Sequence, residues 1–186
     1  MHAWELGRNP GLRLDLCEKL EARIEAIRGA SHRRVSLLGW SLGGMYARVI
    51  AQRRSDDIRQ VITLGTPFRV SAEDGGKGAI ARMYMKLNPD ASADPLMASG
   101  LARLPTPVPS TSIYSTRDGI VPWASCVEQC GARHENIRVH GSHCGMTYNP
   151  LILAIVAERL GQREHAWRPF RPSGLKAILS RPVCDP

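Results

Sequence analysis

A serine between two glycines, Gly39-Trp40-Ser41-Leu42-Gly43, sits where the hydrophobic period changes. Before it, Val35-Ser36-Leu37-Leu38 is a short apolar run of the kind a buried strand shows. After it, Met45, Ala47, Val49, Ile50 and Ala51 recur at helical spacing. A strand must therefore turn into a helix within a residue or two. Such a corner holds Ser41 in a strained conformation above the sheet and crowds the residues two before and two after it, which predicts that side chains at 39 and 43 would clash. The start of the helix aims the Leu42 amide, and the positive end of the helix dipole, at any negative charge forming beside Ser41.

The rest of the pattern extends this unit. From Gly11 to Arg28, Leu12, Leu14, Leu16, Leu20, Ile24 and Ile27 fall among charges at helical spacing, which predicts an amphipathic helix ending at Gly29. Strands are expected at Val35–Gly39, Arg59–Gly65, Thr111–Thr116 and Asn136–His140, and a closing helix at Leu151–Leu160 behind an Asn149 cap and Pro150. Helices alternating with buried-looking strands give the fold class: α/β, a mostly parallel sheet flanked by helices. The 186 residues suffice for one domain, residues 1–168, burying roughly 70% of its unfolded surface. An insertion at 68–110, too long for a plain connection, is expected to form a cap or lid over a site, and the Pro-rich tail 169–186 to be loosely ordered.

A serine hydroxyl is a weak nucleophile and needs a base that a third group orients. His143, in Val139-His140-Gly141-Ser142-His143-Cys144-Gly145, follows the fourth strand on a glycine-flanked loop able to swing over the strand ends, and is the candidate base. His140 competes but belongs to the strand. Asp118, in Ser115-Thr116-Arg117-Asp118-Gly119, lies on the loop after the preceding strand and is the candidate orienting acid. Glu128, expected on a helix, and Asp57, at the far end of the Ser41 helix, are poorer candidates. Trp40, Met83, Met97 and Met146 are candidate substrate contacts, with Met85, Leu101 and Leu104 as further apolar residues of the insertion.

Composition narrows the alternatives. The net charge is +8, yet the cations are scattered among acids and only 5% of residues are aromatic, which argues against a nucleic-acid surface. No run approaches the roughly 18 to 20 apolar residues of a membrane span, and the first residues lack a basic-then-apolar leader, so a cytoplasmic location is expected. Five cysteines without a CxxC pair argue against a disulfide framework, leaving open a bridge between Cys126 and Cys144. His140, His143 and Cys144 cluster, but no further ligand set recurs nearby, so neither a metal nor another cofactor is expected.

The segments LLGWSLGG, VITLGTPF, IYSTRDGIVPW and VHGSHCGM, in that order and across about residues 35 to 150, resemble the catalytic half of the α/β-hydrolase superfamily, especially its bacterial esterase and lipase-like members. The resemblance implies Ser41 as nucleophile, His143 as general base, Asp118 as its partner, Leu42 as an oxyanion-hole donor, an acyl-enzyme intermediate and hydrolysis of small to medium acyl esters. A lipase, a thioesterase or acyltransferase using the same triad, and a non-catalytic relic of such an enzyme are the alternatives. In that superfamily several strands precede the segment resembling His2-Ala3-Trp4-Glu5, and the loop after the third supplies a second oxyanion donor; no counterpart stands before Met1. Either a short strand at Met1–Glu5 pairs with Val35–Leu38, or a sheet edge is left open, in which case a homodimer is expected across it.

Overall fold

Ile58-Arg59-Gln60-Val61-Ile62-Thr63-Leu64 is buried along nearly its whole length, and a strand with no solvent face must lie inside a sheet covered on both sides. The computed structural model describes residues 1–7, 9, 11–69 and 95–183. Helix α1 (Leu14–Ser31) leads to strand β1 (Val35–Trp40), helix α2 (Leu42–Arg53) and strand β2 (Ile58–Leu64). Beyond the insertion come the short helix α3 (Pro95–Ala98), strands β3 (Ser110–Ser115) and β4 (His134–Val139), helices α4 (Pro150–Gly161) and α5 (Leu175–Leu179), and strand β5 (Ser180–Val183). The sheet runs β1-β2-β3-β4-β5, parallel as far as β4, with β5 antiparallel to it. This is the expected α/β class.

Strand β2 divides the core, and the register irregularity at its start brings Ile58 to the same side as Val61. Ile58 and Val61 join a cluster with α1 and α2 (Leu16, Ile24, Met45, Val49, Ile50), while Ile62 and Leu64 join one with Ile152, Ile155 and Val156 of α4. The described ends of the insertion belong to the first cluster: Phe68, Leu96, Ala102 and Val108 are each at most 5% exposed. Leu101 packs against the same cluster, whereas Leu104 is exposed. Residues 70–94, which include Met83 and Met85, lie outside the described residues, as does the side chain of Met97.

Three local expectations are corrected. Helix α1 runs past Gly29, since a helical glycine costs only about 1 kcal/mol; it stops where His32 turns left-handed (φ 54°) and returns its N–H to the Arg28 carbonyl at 2.7 Å. Of the tail, the described residues 169–183 are not loose. Phe170 is 2% exposed, its N–H bonded at 2.5 Å to Glu135, which also accepts from Thr111 and Arg159, and β5 pairs with β4. No strand forms at Met1–Glu5. Among the described residues β1 is thus an open edge of the sheet, with Leu38 48% exposed. Helix α4 begins as expected, Asn149 accepting the Leu151 N–H at 2.9 Å beside Pro150. No helix among the described residues is long and apolar enough to cross a membrane.

Candidate active site

Ser41 occupies the corner between β1 and α2 with φ 51° and ψ −124°, a conformation that costs a side-chain-bearing residue about 1–3 kcal/mol. Two ties hold it there: its N–H donates to the Leu64 carbonyl of β2 at 2.8 Å, and its carbonyl accepts from Gly44 at 3.1 Å. The crowding that demands glycine falls on 39 and 44, not 39 and 43. A Cβ on Gly39 would land on the Gly44 backbone and one on Gly44 would land on the Thr66 side chain, whereas a Cβ on Gly43 would meet open space. Ser41 itself is half-buried, and Leu42 opens the first turn of α2, where a backbone N–H has no acceptor within the helix.

The loops after β3 and β4 bring Asp118 and His143 together. Asp118 Oδ2 accepts from His143 Nδ1 at 2.7 Å, both side chains being at most 5% exposed. The His143 N–H also donates to the Asp118 carbonyl at 2.9 Å. The other carboxylate oxygen, Oδ1, accepts the N–H groups of Ile120 (3.0 Å) and Val121 (2.5 Å). Every strong demand of Asp118 is thereby met, and with Nδ1 as the donor the imidazole presents Nε2 as a bare acceptor. Among the described residues neither His143 Nε2 nor Ser41 Oγ has a hydrogen-bonded partner, so acid and base are joined while nucleophile and base are not hydrogen-bonded. Such bonds commonly tighten only when substrate is present.

The remaining sequence candidates divide. Trp40, 40% exposed, donates its indole N–H to the His143 carbonyl at 3.1 Å, and its ring centroid is 5.2 Å from that of the imidazole. Met146, expected at substrate, is instead fully buried in the cluster with Ile152, Ile155 and Val156 of α4. His140 is exposed. Asp57 is held by Arg28 and by Arg54. Glu128 lies on no helix; it is buried, its backbone paired with the Asn136 amide (2.7 and 2.8 Å) and its carboxylate with Arg48. Cys126 is buried and Cys144 exposed, and both are free thiols, so the considered bridge is not formed. Burial pushes the Cys126 thiol up to about 12, which keeps it protonated and unreactive.

Two residues that matter here were not candidates from sequence. Gly65, at φ 52°, closes β2 beneath the pair: a Cβ there would stand 3.1 Å from Asp118 Oδ2, 3.2 Å from His143 Nδ1 and 3.2 Å from Met146 Sδ. Its place just after a strand reads as a simple stop. Arg48, 1% exposed on α2, donates to the carbonyls of Ala102 (2.6 Å) and Leu104 (2.8 Å), pairs with Glu128 and stacks 3.8 Å above the Phe68 ring. It thus ties both described ends of the insertion to the helix that carries Ser41.

No family model and no curated protein matches the chain. Solved structures do resemble it. One from the work on LipS and LipT, metagenome-derived lipolytic enzymes, superposes with a TM-score of 0.55 at 17% identity, covering 78% of this chain and 71% of that one. A lipase-esterase related protein from Clostridium acetobutylicum gives 0.53 at 15% identity, covering 86% and 78%. Polyneuridine aldehyde esterase gives 0.53 at 17% identity, covering 80% and 79%. A serine on a strand-to-helix corner, an aspartate after the third strand and a histidine after the fourth, on a sheet of this order, give the chain the α/β-hydrolase fold.

Proposed function

We propose that the protein is a serine hydrolase that cleaves carboxylic esters of small to medium acyl chains through an acyl-enzyme. The observation that carries this reading is the buried Asp118–His143 hydrogen bond of 2.7 Å beside a serine held at φ 51°. In this mechanism His143 Nε2 removes the Ser41 proton as Oγ attacks the ester carbonyl. Asp118 fixes the ring and offsets the charge of the imidazolium. The Leu42 N–H, at the positive end of α2, donates to the oxyanion of the tetrahedral intermediate, a contribution worth roughly 10²–10³ in rate. His143 then protonates the leaving alcohol, and water enters by the reverse sequence. The insertion at 68–110 serves as the cap that shapes the acyl site. The three solved neighbours, named as lipolytic or esterase proteins, support the ester as substrate class.

Hydrolysis of a chain-length series of p-nitrophenyl esters tests the reading. Turnover is expected to be highest for short and medium acyl groups and to vanish in Ser41→Ala. A profile rising only with long chains at an oil–water interface would favour a lipase instead, and turnover that survives Ser41→Ala would overturn the mechanism.

A further inference from the structure

Trp40 stands next to the nucleophile and yet bonds to the base. Its indole N–H donates to the His143 carbonyl at 3.1 Å, and the two rings lie 5.2 Å apart at 37°. Only one peptide unit separates Trp40 from Ser41. From this geometry we infer that Trp40 is a positioning residue that fixes His143 relative to Ser41, and not a substrate contact; the inference rests on the triad reading above and deepens it.

Three groups of His143 are tied down. Its N–H is held by the Asp118 carbonyl, its Nδ1 by Asp118 Oδ2, and its carbonyl by Trp40, with Met146 N–H sharing that carbonyl at 3.4 Å. The Asp118 contacts orient the ring but anchor it only to the loop after β3. They say nothing about its distance from the corner after β1, three strands of the sheet away from β4. Trp40 supplies that cross-sheet link, from the residue preceding the nucleophile to the backbone of the base. A hydrogen bond through a long rigid side chain spans a gap that no shorter donor at position 40 would cross.

The test is Trp40→Phe, which keeps an aromatic face and deletes the N–H, together with incorporation of benzothienylalanine at position 40, which keeps the bicyclic shape and replaces N–H by sulfur. Two readouts are taken. The first is the exchange rate with water of the His143 Nδ1 proton in NMR spectra, identified by its loss in Asp118→Ala. The second is the split between kcat and KM on p-nitrophenyl acetate. A positioning role predicts roughly tenfold faster Nδ1 proton exchange and roughly tenfold lower kcat, with KM within about twofold of the native value. An unchanged exchange rate, or a raised KM at native kcat, overturns it. If the native protein turns over no ester, the functional reading fails, while the exchange rate in the shape-conserving variant still decides the role of Trp40.

Discussion

Arg48 and Glu128 form an ion pair in which neither side chain is more than 3% exposed, although 80 residues separate them in the chain. Two charges so deeply buried are tolerated because each guanidinium nitrogen and both carboxylate oxygens have a partner. Arg48 reaches two carbonyls, and Glu128 accepts from Ser110 at 3.3 Å. The pair binds the Ser41 helix, both described ends of the insertion and the start of β3 into one unit. Removing one partner strands the other charge: Arg48→Met or Glu128→Leu is expected to cost about 3–5 kcal/mol, and the double variant Arg48→Met/Glu128→Leu less than the sum. Urea denaturation with a double-mutant cycle checks this, and additive losses would show that the two side chains do not act as a pair.

Asp118→Asn is expected to leave the fold intact, because Ile120 and Val121 N–H still find a carbonyl oxygen. Its amide, however, faces His143 Nδ1 with the wrong polarity and favours the tautomer that leaves no lone pair on Nε2. A fall in kcat of about 10⁴-fold is expected from steady-state kinetics. A loss below about tenfold would remove Asp118 from the triad.

Gly65→Ala tests the floor of the site. The new methyl group would press on Asp118 and His143 at 3.1 and 3.2 Å, and the residue would keep a positive φ of 52°. We expect a loss of about 1–2 kcal/mol in stability and more than tenfold in kcat/KM, the second through displacement of the imidazole. Native kinetics in this variant would mean that the pair has room to shift.

Burial raises the thiols of Cys17 and Cys126 from an ordinary value of 9.0 to about 12 in each case. In the unfolded chain both ionise near the ordinary value, so the stability they lend is fully present below it and is lost as the pH rises toward 12. Urea midpoints at pH 7 and at pH 10 to 11 should therefore fall less in Cys126→Ala than in the native chain. Iodoacetamide at pH 8 should modify the exposed Cys130 and Cys144 and spare Cys17 and Cys126; rapid alkylation of Cys126 in the folded protein would contradict the burial argument.

The open edge of β1 carries the expectation of a homodimer. Its backbone lacks a partner on one side among the described residues, and Leu38 on it is 48% exposed. Sedimentation at micromolar concentration is expected to show a dimer that Leu38→Lys dissociates; a native monomer would dispose of it.

The parts of the fold legible in the sequence are those where local pattern and tertiary demand agree. The change of period around Ser41 locates the corner, and the order of loops along a parallel sheet locates Asp118 and His143 before any distance is known. What escaped is non-local. Arg48 does not stand out within a helical pattern because its partners lie 54 and 80 residues away. Which glycine is crowded, 43 or 44, depends on Thr66 arriving from β2. The four prolines after Arg168 argued for looseness, yet Pro182 sits in β5, an edge strand, where its missing N–H costs little.

The central claim is that Ser41 is a nucleophile activated by His143. Its most direct measurement is the intact mass after incubation with a fluorophosphonate, followed by peptide mapping of the adduct. The account predicts one adduct per chain, on Ser41, formed at least about a hundredfold more slowly in His143→Ala. A folded native protein that takes no adduct, or an adduct on Ser41 formed as fast without His143, would contradict it.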